Sequence, residues 1–153
     1  SIAQPSINIY ARTANGNVAP IRKIQGANTK LDNAKPIFVN SQRREILVAS
    51  GNPSNAILVF DQSSNGNVRP LRTIQGDRTG LSNPTGVFVD EVNDEIVVSN
   101  WGNHTITVYS MFASGNVRPL RTISPTTSRV TAGIGNPGAL YVDTQRNEIG
   151  VIN

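Results

Sequence analysis

The chain contains no cysteine, which removes disulfide staples, thiolate metal sites and cysteine nucleophiles together. Its single histidine, His104, excludes His-rich zinc sites and the paired histidines of helix-borne metal centres. Charge is sparse, at 16% of residues, and 14 Lys+Arg against 10 Asp+Glu leave a net +4; that excess permits an anionic partner without requiring one. Aromatics make up only 5%, too few for the stacking surfaces of single-strand nucleic-acid binders. No apolar run approaches the ~20 residues of a membrane-spanning helix. No segment shows a 3.6-residue apolar period, so no helix is expected. With it go any phosphate-cradling loop that opens a helix and, since the motif is missing too, any G-x-S-x-G elbow. At 153 residues with 13 Gly and 9 Pro, the chain has the length of one compact domain and neither a collagenous nor a charged, disordered composition.

What the sequence does have is internal repetition. Gly16-Asn17-Val18 recurs as Gly66-Asn67-Val68 and Gly115-Asn116-Val117, at offsets of 50 and then 49. Residues 66–74 and 115–123 share the nine letters GNVRPLRTI, and 16–24 read GNVAPIRKI. The register extends beyond this block: Leu31, Asn33, Phe38, Glu45 and Val48 meet Leu81, Asn83, Phe88, Glu95 and Val98, and a third copy follows as Asn136, Tyr141, Asp143, Glu148 and Val151. Periods of this size mark stacked supersecondary units.

Each unit holds four short apolar runs rich in β-branched and aromatic residues, the length and composition of strands. In the second unit they are 87–89, 96–98, 106–109 and 117–123. The five-residue step from Asp90 to Glu95, matched by Asn40 to Glu45 and Asp143 to Glu148, has hairpin length. Asn-Gly or Ser-Gly supplies a positive-φ turn before the fourth run. The first two strands are apolar at consecutive positions, which requires cover on both faces. The fourth carries Pro20, Pro70 or Pro119 with Arg22, Arg72 or Arg121, and reads as an outer strand whose charges guard an edge. The fold class is therefore all-β: a β-propeller of four-stranded antiparallel blades.

The run NPTGVFVDEVNDEIVVSNWGNHTITVYS, Asn83 to Ser110, resembles an NHL repeat, whose blade reads Pro-x-Gly-[apolar]-x-Val-Asp, a strand, and then Asn-His before the next strand. Asp90 and the Asn103-His104 pair match that pattern. The first unit departs from it with Ala34 for Pro84, Pro36 for Gly86 and Asn40 for Asp90. The resemblance implies six-bladed rings. It leaves activity open, since family members include protein- and RNA-binding modules and a few enzymes.

The blade phase gives a half blade at 7–24, blades at 34–74 and 84–123, and the complementary half at 137–153: three blade-equivalents per chain. Closed propellers need about four or more blades. A sector would leave strand edges and apolar faces in water. The expectation is completion to a six-bladed ring, by a second copy head to tail or by the remainder of a longer chain.

Candidate sites are few. Asn33, Asn83 and Asn136 precede the innermost strands, and a ring of amides near an axis could hold Ca2+ through its carbonyl oxygens; otherwise no cofactor is expected. His104 reads as a polar filler under its loop. The recurrent Glu45, Glu95 and Glu148, with Asp90 and Asp143, read as holding hairpin turns. Trp101 has no counterpart in the first unit, where Gly51 aligns, so it either anchors a ligand or wedges between blades. The loop 124–131, which includes Arg129, is longer than its equivalents, and repeat proteins place function in such insertions. The ligand-binding candidates are thus Trp101, Asn103, His104 and Arg129. The function expected is a non-enzymatic binding or scaffold propeller that presents one loop face to a protein or small ligand. A Ca2+-dependent lactone or ester hydrolase is the alternative, and an RNA-binding propeller the third. Neither nucleic acid nor a membrane is an expected partner. Ser1 opens the chain without a basic-then-apolar leader, which fits a mature exported protein and a cytosolic one alike; the compartment expected is extracellular or periplasmic.

Overall fold

The computed structural model describes residues 4–124 and 134–153. Twelve strands and one 3-10 turn, Ala27–Thr29, lie among them. Strands β3 (Ala34–Asn40), β4 (Glu45–Ser50), β5 (Ala56–Asp61) and β6 (Arg72–Gln75) form one four-stranded antiparallel sheet in chain order. Strands β7 (Pro84–Asp90), β8 (Glu95–Asn100), β9 (Thr105–Ser110) and β10 (Arg121–Ile123) form a second. Two hairpins complete the set: β1 (Ser6–Ile9) with β2 (Arg22–Gln25), and β11 (Leu140–Asp143) with β12 (Glu148–Val151). Their registers match the third and fourth strands of a blade and the first and second, respectively.

The fourth strand is shorter than its apolar run. It begins at Arg22, Arg72 or Arg121, two residues past each proline, because a residue without an N–H cannot join the ladder. Each turn before it has a glycine with positive φ, +72°, +76° and +76° at Gly16, Gly66 and Gly115. The hairpin between first and second strands is an Asx turn: Asp90 Oδ1 accepts from Val92 N and Asn93 N, and Asp143 repeats this with Gln145 N and Arg146 N.

Burial follows from sheets packed face to face. Every residue of β4 is buried, and so are all of β5 except Asp61. One cluster (Leu47, Ala49, Val59, Val87, Val89, Ile96) lies between the two complete blades. A second joins Ile7 and Ile24 to Ile46, Val48, Leu58 and Phe60. A third sets Val97, Ile106 and Val108 against Leu140, Val142, Ile149 and Val151. Innermost strands β3 and β11 depart from the expected two-sided cover: on β11 Tyr141 is 57% exposed, and on β3 Ile37 is 49% and Val39 43%, whereas their repeat equivalents Val87 and Val89 are 7% and 2%. Nothing among the described residues covers the inner part of that face.

Candidate functional site

One end of the blades gathers the loops that precede each first strand and those that leave each second strand. Backbone hydrogen bonds tie them in pairs: Gly51 N to Asn33 O, Trp101 N to Asn83 O and Gly102 N to Ser82 O, at 2.9, 3.2 and 2.9 Å. This face carries most of the residues expected to bind.

In the loop 101–104, Asn103 and His104 are held and Trp101 is displayed. Asn103 Nδ2 donates to Gly80 O at 3.1 Å, and its Oδ1 accepts from Thr105 Oγ1 at 2.8 Å. His104, with φ 57°, hydrogen-bonds through Nδ1 to Gly135 O in the following hairpin's loop. It remains exposed, so it staples two loops across the surface where a filler beneath its own loop was expected. Trp101 is 47% exposed, so it is not buried as a complete wedge between blades. Arg129 and residues 125–131 of the long loop lie outside the described residues.

The amide ring does not suit a cation. Lys35 Nζ donates to Asn83 Oδ1 at 2.8 Å, placing an ammonium against the oxygen that a metal would use. Asn33 is turned to donate through Nδ2 to Asn52 O at 3.2 Å, and Asn136 is exposed. Among the described residues no group of three or more His, Asp or Glu could hold a metal ion. One loop carboxylate, Asp32, lies near this ring. Partial burial alone would raise its pKa, but hydrogen bonds from the Ser50 and Ser54 hydroxyls and from Asn33 N outweigh that and hold the carboxyl below its ordinary value.

The recurrent glutamates and arginines do something other than expected. Glu45 keeps Arg43 of its own hairpin at 3.5 Å, but its Oε1 and Oε2 also take Arg72 Nη1 and Nη2 at 2.5 and 2.9 Å. Glu95 takes Arg121 in the same way, at 2.5 and 2.7 Å. These bidentate pairs reach across one strand, from the second to the fourth. The arginines also fasten blades together: Arg72 Nη2 donates to Met111 O of the next blade at 2.8 Å, and Arg22 Nη1 to Gln62 O at 2.6 Å. The Gly-Asn dipeptide is a second fastener. Gly66 N donates to Lys23 O and Gly115 N to Thr73 O, both at 2.7 Å, one blade back. Asn67 Oδ1 then accepts from Asn28 N at 2.8 Å, and Asn116 Oδ1 from Arg78 N at 2.9 Å.

Residues 81–109, which span β7 to β9, match the family model of the NHL repeat. One blade of the chain is thus similar to an NHL repeat. The NHL-like blade contains Trp101, Asn103 and His104 and contributes Asn83 to the amide ring. No curated protein matches the chain. Among solved structures, Kluyveromyces lactis Hsv2 (complete loop 6CD) is similar, with a TM-score of 0.48 and 11% identity, covering 94% of this chain and 53% of that one. This chain therefore spans about half the length of that one.

Proposed function

We propose that this chain is a sector of a non-enzymatic binding propeller that presents its loop face to a protein or small ligand, with a second copy completing the ring. The observation that carries the binding role is Trp101: a half-exposed indole on a loop whose next residues are fastened to Gly80 and Gly135. An aromatic anchor held on a rigid loop loses little conformational freedom on binding, the property shared by interface hot spots.

Trp101 is also the only tryptophan, so its emission reports on this face directly. Peptides selected from a displayed library on the immobilised chain should shift or quench that emission and should lose at least tenfold in affinity for Trp101→Ala, about 1.4 kcal/mol. Selected peptides that bind Trp101→Ala as tightly as the parent chain would place the binding surface elsewhere and overturn this reading.

A further inference from the structure

The two half blades carry the two halves of an interaction that each complete blade makes within itself. By the 50-residue offset, Arg22 is the equivalent of Arg72, and by the 53-residue offset Glu148 is the equivalent of Glu95. Arg72 and Arg121 each hold a glutamate on their own blade's second strand. Arg22 and Glu148 form no ion pair among the described residues. The apolar surface is divided in the same way. Tyr141 and Ile152, 57% and 69% exposed at one end, are the repeat equivalents of Phe38 and Ala49, which belong to the cluster covering Val87 and Val89. The residues left uncovered at the other end are Ile37 and Val39, the equivalents of Val87 and Val89. Each end thus lacks what the other displays.

Resting on the reading that a second copy completes the ring, we infer that β12 of one copy pairs with β1 of the other in a single register: Glu148 opposite Ala11, Gly150 opposite Ile9 and Ile152 opposite Ile7. In that register Glu148 and Arg22 of the second copy form the missing bidentate pair. The pairing copies β4 on β5, where Glu45 faces Asp61, Leu47 faces Val59 and Ala49 faces Ile57.

Two independent constraints fix the register. The first is parity. Ile149 and Val151 pack towards Val97 and Val108, which leaves Gly150 and Ile152 on the opposite face of β12. Ile7 and Ile9 pack towards Ile46 and Val48, the side on which Ile37 and Val39 wait. Opposed residues share a face, so a slip of one residue would turn one strand's apolar set outward. The second constraint is charge. A slip of two residues preserves parity but moves Glu148 by about 7 Å along the strand, out of reach of Arg22. The cleft of about 630 Å³ between β10 and β12, lined by Glu95, Arg121, Glu148 and Ile149 among others, is where β1 and β2 of the second copy come to lie. There Arg121 gains a carbonyl from the second copy, at the position that Met111 O fills for Arg72.

Sedimentation equilibrium and cysteine pairing test this. The parent chain should sediment at twice its 16.4 kDa mass. Because each dimer has two junctions, Glu148→Arg should weaken association at least about 100-fold, and adding Arg22→Glu should restore it to within about tenfold. With no native cysteine, an Ile152→Cys chain mixed with an Ile7→Cys chain should oxidise to a covalent dimer, while the Ile9→Cys partner should not. A parent chain that stays monomeric at every concentration overturns both the ring closure and the register. A dimer unaffected by Glu148→Arg, or one crosslinked through Ile9→Cys, overturns the register and leaves closure standing. Should the charge variants misfold by circular dichroism, the cysteine pairs decide alone.

Discussion

Exchanging Glu45 for Gln removes one charge and almost no volume, so Glu45→Gln tests the blade's internal ion pair apart from packing. The Glu45 side chain is 6% exposed and that of Arg72 14%. After the exchange the guanidinium keeps the Met111 carbonyl, a neutral acceptor, while its buried Nε already has no partner. Removing one member of a buried pair costs about 3–5 kcal/mol. The Gln amide oxygen retains one hydrogen bond, so the expected loss is about 2–4 kcal/mol. Arg72→Met should cost less, about 1–3 kcal/mol, because Glu45 keeps Arg43 at 3.5 Å. The matching pair in the NHL-like blade is the internal control: Arg121 is 51% exposed, so Glu95→Gln should cost below about 1 kcal/mol. Urea unfolding followed by far-UV circular dichroism, in dilute protein, reads these losses. With a slope of about 2 kcal/mol/M, Glu45→Gln should lower the midpoint by about 1–2 M and Glu95→Gln by well under that. Equal midpoints for the two variants would refute the argument that burial sets the strength of these pairs.

Tyr109 is buried, its OH donates to Thr79 O at 2.6 Å, and burial pushes its pKa up to about 12. A folded-state pKa above the unfolded value gives stability that is complete below about pH 10 and lost as pH climbs towards 12; Tyr109→Phe should flatten that alkaline decline in thermal melts, and an unchanged slope would assign it to other groups. At Gly76, where φ is +131° and an added Cβ would sit 2.4 Å from Asn116 Cγ, Gly76→Ala should cost more than about 1 kcal/mol by denaturant unfolding. In an Asn116→Ala background the steric share of that cost should vanish, and strict additivity would show that the asparagine does not occupy the glycine's space. Millimolar CaCl2 should leave the melting temperature within about 1 °C of its value in chelator, because Lys35 already occupies Asn83 Oδ1; a rise of more than about 3 °C would reveal a cation site.

Much of the architecture was legible because it recurs. Three copies of the Gly-Asn-Val turn, the consecutive apolar positions of 46–49 and 96–98, and the Asp90 and Asp143 hairpins each led to the observed element, since turn chemistry and two-sided burial are local in sequence. The function of the recurrent Glu and Arg was not local. Glu45 meets Arg72 across an intervening strand, and a hairpin position explained a repeated carboxylate equally well. The available signal was co-recurrence: every unit that carries the glutamate and reaches a fourth strand also carries the arginine. The exposure of Ile37 and Val39 could not be read from β3's own residues, because it depends on what packs outside the sheet. Trp101 was singled out by its lack of a repeat partner, but whether the indole pointed inward or outward depended on loop geometry that no pattern encodes.

The backbone fasteners at Gly66 and Gly115 always reach one unit upstream, each turn gripping the outer strand of the blade before it. A unit copied in frame would therefore bring its own grip and the strand for the next turn to seize, so the gene could lengthen or shorten by whole periods without any new contact having to be invented. Shortening by a fraction of a period would strand one grip without its handhold.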